Sequence, residues 1–185
     1  CQDRARAFDL DSDAMTLLPD ATDLEARLES LTDASLRPTL ATILRSAAAR
    51  STSTMRSLAL FRRVAELYTE LGRADLALDV HQRIIQLQPT AIPSLRVVIG
   101  HRQQRGFHRE LRDALQQLLD ASPDASATER VGIELEIARL SHQRLSDAET
   151  ALTTYARILE ADAQNPDALA GVRSLTAGSI PPALE

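Results

Sequence analysis

Histidine, cysteine and paired carboxylates are the side chains that most often carry catalysis or hold a metal, and their spacing in these 185 residues supports neither. The four histidines stand at 81, 101, 108 and 142, so no two lie four apart on one helix face, and H-E-x-x-H is absent. The single cysteine, Cys1, excludes a disulfide within the chain and a Cys-rich four-ligand zinc site. The sequence has no G-x-S-x-G, P-loop, G-x-G-x-x-G or C-x-x-C. Acidic pairs such as Glu66 and Glu70 follow the solvated faces of helices and set up no general acid and base. The sequence therefore predicts a non-enzymatic protein with no catalytic residue, no metal and no cofactor. His81 reads as a packing residue, and His101 and His108, on either side of a turn, read as surface.

The chemistry that remains is that of arginine. All 21 basic residues are Arg and none is Lys, a bias expected of a GC-rich bacterial genome before it is a chemical signal. Each guanidinium still offers a fork that grips a carboxylate or phosphate through two hydrogen bonds. The charges are unevenly spread: residues 1–33 carry a net −6, residues 34–112 a net +8 and residues 113–185 a net −7. A basic centre between acidic ends either attracts an acidic partner or is neutralised by its own neighbours along a stack, and the sequence leaves both open.

Helices must position these residues. Apolar residues make up 44% and charged residues 25%, ordinary for a folded globular chain. With aromatics at 3% and no Trp, the core has to be built from Leu, Ala, Ile and Val, which favours helices over sheets. Apolar runs such as Val97–Ile99 are too short for a membrane span or a signal peptide. Cys1 in place of an initiator Met suggests a fragment of a longer protein, or a mature lipoprotein whose first residue is a lipidated Cys. Gln2–Leu10 reads as the tail of a preceding helix entering a turn at Asp11-Ser12-Asp13 rather than as a polar tether, which favours the fragment and a cytoplasmic location. A lipid-anchored or periplasmic location is the alternative.

Apolar residues recur at helical spacing after residue 22, and turn signals divide them into helices over 22–32, 36–49, 55–71, 74–87, 92–105, 108–121, 127–144, 147–161 and 166–175. This predicts an all-α domain over 22–175, with hairpins at 22–50, 55–88, 91–122 and 127–162 and a partial one at 166–175. Residues 1–21 are expected to be the end of a preceding helix plus a linker, and 176–185, with Gly178, Pro181 and Pro182, a flexible tail. A period then emerges: Gly72 and Gly106 are 34 apart, and so are Pro89 and Pro123. In the first unit Phe61, Val64, Ala65, Tyr68, Ala77, His81 and Pro89 fall on the spacing W-x2-L-G-x2-Y, A-x3-F, P. In the second the positions hold Leu95, Val98, Ile99, Arg102, Leu111, Leu115 and Pro123; in the third, Glu134, Ile137, Ala138, Ser141, Ala151 and Tyr155, with one residue gained in the turn. Residues 76–85 also match 150–159 at an offset of 74, so repeats alternate in two flavours.

On these residues the chain resembles the tetratricopeptide repeat family, in the divergent form found in long bacterial arrays. The resemblance implies an α-solenoid of antiparallel helix hairpins wound as a right-handed superhelix, with Ala77 and Ala151 admitting close helix approach and Tyr68 or Leu115 filling the wider gap. It also implies a concave groove lined by first helices, whose contact positions fall on Arg62, Glu66 and Thr69, then Arg96 and Gln103, then Leu135, Arg139 and His142. Arg62 and Arg96, 34 apart, should stack on one face. The expected function is a protein-interaction scaffold that takes a partner's peptide segment, or that forms part of a longer array or self-associates through its terminal hairpins. The alternative is a polyanion- or RNA-binding repeat using Arg96, Arg102, Arg105, Arg109 and Arg112, against which the net acidity and scarce aromatics argue.

Overall fold

A computed structural model describes residues 2–178, and within them the chain forms ten α-helices and no strand. In order these are α1 (Gln2–Leu17), α2 (Thr22–Leu31), α3 (Arg37–Arg50), α4 (Thr54–Glu70), α5 (Ala74–Leu87), α6 (Ile92–Arg105), α7 (His108–Ala121), α8 (Ala127–Gln143), α9 (Ala148–Ala161) and α10 (Pro166–Gly178). Residues 176–178 belong to α10, and the rest of the expected tail lies outside the described residues, as does Cys1. No described helix is long and apolar enough to cross a membrane. The chain divides into two compact units, Cys1–Val97 and Val98–Glu185, with the division falling inside α6.

In the first unit α1 packs on α2 and α3, α3 on α4, and α4 on α5. Its core runs from Phe8 and Met15 through Leu28, Leu44, Leu60 and Val64 to Ile84. Ala41, Ala47 and Ala48 keep the buried face of α3 low, so α4 can come close enough for the buried Ser57 hydroxyl to donate to the Ala48 carbonyl at 2.8 Å. The turn expected at Asp11-Ser12-Asp13 does not form, and α1 runs on to Leu17. Two bonds absorb the turn-favouring side chains: Ser12 Oγ donates to the Phe8 carbonyl at 2.7 Å, and Arg27 Nη2 of α2 reaches the buried Asp11 Oδ1 at 2.8 Å. Leu28 is the one fully buried residue of α2, with Leu24 and Leu31 partly buried against the same core. Arginines of α4 add polar ties: Arg56 Nη1 reaches Glu25 Oε2 at 2.5 Å, and Arg63 Nε reaches Glu29 Oε1 at 2.6 Å.

In the second unit α7 packs on α8, α8 on α9, and α9 on α10, which also reaches α8. Leu111, Leu115 and Ile137 form one core cluster, against which Ile99 of α6 packs; Ala138, Ala151, Tyr155, Ile158 and Ala168 form another. Asp147 caps α9, accepting from the Thr150 N–H at 3.1 Å, and also accepts from Arg112 of α7 at 2.9 Å. These bonds, the one to Thr150 foremost, hold its carboxyl below the usual aspartate range.

The same joints recur. Helices α3, α5, α7 and α9 are each 14 residues long. Gly72 (φ 66) ends the α4 segment with the Arg73 N–H on the Tyr68 carbonyl, and Gly106 (φ 70) ends α6 with the Phe107 N–H on the Arg102 carbonyl. After α8, where the turn is longer, the left-handed position falls on Ser146 (φ 55), 74 residues beyond Gly72. Gln88 after α5 and Asp162 after α9, also 74 apart, share backbone angles, φ −138 and ψ 90 against φ −141 and ψ 88.

Candidate functional site

In the first unit, α4, α5 and the start of α6 enclose an open cleft of about 680 Å³. Its floor is apolar: Ala65 on α4, Ile84 on α5, and Ala91 with Ile92 and Pro93 leading into α6. Polar groups sit on its walls, namely Arg62, Glu66, Thr69 and Glu70 from α4, with His81, Gln88, Thr90 and Ser94 opposite. The α4 contributors fall at helical spacing, 62, 65, 66 and 69, so one strip of the helix faces the cleft. The opposite wall exists because the turn after α5 closes through the Gln88 N–H on the Ile84 carbonyl and the Ala91 N–H on the Gln88 carbonyl, bringing Ser94 back over α5.

The wall groups are largely engaged. Arg62 Nη2 donates to Gln88 Oε1 at 2.8 Å, bridging the cleft from α4 to the α5–α6 turn. Glu66 accepts from Arg63 Nη1 at 3.1 Å, and Glu70 lies 3.4 Å from Arg37 Nη1 and 3.9 Å from Arg63 Nη1. The carboxylates around Arg63, Glu29 foremost, raise its affinity for its proton further. Thr69 turns its hydroxyl to the Ala65 carbonyl at 2.8 Å. His81 Nδ1 stands 3.0 Å from Ser94 Oγ, and burial holds its imidazole below the usual histidine range. A serine and a histidine at this distance invite a nucleophile–base comparison, but Ser94 is only 4% exposed and no carboxylate orients the His81 ring among the described residues. The pair ties α5 to α6. Among the described residues no three His, Cys, Asp or Glu side chains are grouped as a metal would need.

Three of the expected groove positions, Arg62, Glu66 and Thr69, therefore meet in one cleft. Arg96 is exposed on α6 and lies outside the cleft lining. In the second unit Gln103 is exposed, Leu135 and His142 are half-buried, and Arg139 pairs with Asp167 of α10 at 2.8 Å. The packing positions Phe61, Ala65, Tyr68 and Ala77 are buried in the first unit, and Leu111, Leu115, Ala138, Ala151 and Tyr155 in the second, while Pro89 and Pro123 are exposed. His81 is more than the packing residue the sequence suggests, because it lines the cleft and bonds across it. His101 and His108, expected at the surface, are half-buried, and His108 Nδ1 is enclosed without a hydrogen-bond partner among the described residues.

The basic centre is partly consumed by its neighbours. Arg56 and Arg63 reach the acidic segment before them, Arg45 pairs with Asp79, and Arg112 pairs with Asp147 and with Asp113 at 3.5 Å. Arg102 donates to the Glu110 carbonyl at 2.9 Å. Ser94 and Gln88 were not legible as site residues from the sequence. The turn after α5 brings the residue 13 after His81 back over it, and no spacing in the sequence marks that pair. No protein-family model matches the chain, and no curated protein matches it.

Proposed function

We propose that the chain is a non-enzymatic interaction module, a divergent tetratricopeptide-like solenoid of helix hairpins, whose cleft between α4, α5 and α6 receives a segment of a partner protein. One observation carries this reading: Arg62, Glu66 and Thr69, the positions expected to face a groove, line the same 680 Å³ cleft, which has an apolar floor and polar walls. The 14-residue length shared by α3, α5, α7 and α9 and the repeated turn geometry support the repeat character. A partner segment can exchange its own carbonyl or carboxylate for Gln88 on Arg62, since that guanidinium holds a neutral acceptor at an exposed position. The polyanion reading is the weaker one, because two of its five arginines, Arg102 and Arg112, are already committed within the second unit.

The test is capture on the immobilised chain, with bound proteins identified by mass spectrometry. Thr69→Trp, which fills the cleft from its rim, and Arg62→Glu should each lose the captured partner while the helical circular dichroism stays unchanged. A partner captured equally by the wild type and both variants would move the binding surface away from this cleft. Retention on heparin at about 0.15 M salt would instead favour a polyanion ligand.

A further inference from the structure

The chain joins its own elements by a recurring device, a guanidinium on one helix reaching a carboxylate on another, and two surfaces are equipped for it without using it. On α1, Asp9 and Asp13 are exposed, four residues apart, and neither has an ion-pair or hydrogen-bond partner among the described residues. Leu10 and Leu17, on the same side of the helix, are 63% and 79% exposed, and Leu18 is 60% exposed. Beside them a cavity of about 590 Å³ is lined by Leu17, Leu18, Pro19, Ala21, Arg50 and Thr52.

The second surface is the turn between α6 and α7. Gly106 bends the chain at φ 70, and Arg102 braces the turn through the Glu110 carbonyl. Phe107 is left at the tip, 49% exposed and the one exposed large aromatic side chain among the described residues. On either side of it Arg105 and Arg109 are exposed, again four residues apart and without a partner among the described residues.

We infer that the α6–α7 turn of one copy docks against α1 of a second copy, with Phe107 entering the cavity beside Leu17 and Leu18 while Arg105 and Arg109 pair with Asp9 and Asp13. Charge complementarity selects this occupant: two unused cations flank the exposed ring, and two unused carboxylates flank the exposed leucines. Aromatic and arginine side chains are also the residues that most often anchor protein interfaces, and Arg50 at the cavity can lie over the incoming ring. A nucleic acid would use the turn but leave the acidic, leucine-bearing face of α1 unexplained. Each copy offers one turn and one α1, so the contact either closes reciprocally on two copies or runs on into larger rings or open chains. This inference does not rest on the cleft.

Sedimentation velocity of the full chain from about 10 μM to about 500 μM tests it. The wild type should grow beyond monomer with concentration, and less so when salt rises from about 0.05 to about 0.5 M. Phe107→Ser and Leu17→Ser, both at exposed positions, should each weaken association about tenfold or more with an unchanged circular dichroism spectrum. Mixed in equal amounts, the two variants should form a one-to-one pair and nothing larger, because one keeps the α1 face and the other keeps the turn. A wild type that stays monomeric throughout, a single variant that associates like the wild type, or a mixture that stays monomeric would each overturn the docking.

Discussion

A methyl group placed on Gly171 would stand 2.2 Å from Cζ of Tyr155, so the ring on α9 and the glycine on α10 pack as one piece. The ring is buried with Ala138, Ala151, Ile158 and Ala168, and burial raises the pKa of its phenol. Seventy-four residues earlier, the corresponding positions hold His81 and Val97, a smaller ring and a larger neighbour. Gly171→Val alone should cost about 2–4 kcal/mol by overpacking, and Tyr155→His alone about 2–3 kcal/mol by leaving a void. Made together they should cost at least about 1 kcal/mol less than the sum. Strictly additive losses in urea unfolding would show that the two sites do not share their space.

Ala77 and Ala151 open the second helices of their hairpins and are buried. An arginine at either position has to displace a neighbouring helix and lose water from its charge. Ala77→Arg or Ala151→Arg should therefore cost about 3–5 kcal/mol. A melting temperature unchanged in either variant would mean that the helices do not approach closely there.

Arg56 is the firmest of the ties on α2. Its side chain is 12% exposed and reaches Glu25 as well as the Pro19 and Ala21 carbonyls at 3.4 Å. Arg56→Ala should cost about 1–3 kcal/mol, and hydrogen exchange should quicken over α1 and α2 before it does over α4 and α5. Exchange that quickens uniformly, or not at all, would deny α2 this dependence.

Burial holds the His81 imidazole low, so the folded chain favours the neutral ring and the unfolded chain binds that proton more tightly. Stability from this group is complete above the ordinary histidine value near about 6.5 and drains away as pH falls below it. Between about pH 7 and about pH 5 the unfolding free energy of the wild type should drop more steeply than that of His81→Gln. Parallel curves would mean that the ring is as well hydrated in the fold as outside it.

The helical pattern was legible wherever its periodicity and its stops agreed, as at Gly72 and Gly106, whose positive φ values supply the left-handed joint the sequence calls for. It misled at Asp11-Ser12-Asp13, where local chemistry reads as a turn and a partner on another helix, Arg27, makes the helical alternative favourable. The α4 wall of the cleft could be read because Arg62, Glu66 and Thr69 share one helix face. The opposite wall could not, because His81 and Ser94 are joined only by the geometry of the turn between them. The fate of the basic segment was also within reach: Glu29 with Arg63 and Arg45 with Asp79 are each 34 apart, and Arg112 with Asp147 is 35 apart, so opposite charges one repeat distant were the signal.

Every cation in those inter-helix ties is a guanidinium, which does not give up its proton in a protein. Alkaline solution consequently has no lever on these ties, whereas acid acts on their carboxylate side, and at Asp147 only below the usual aspartate range. Each unit is thus weatherproof in one direction only, and acid should loosen the ties of α2 and α3 in the first and of α7 in the second, whereas alkali leaves them closed.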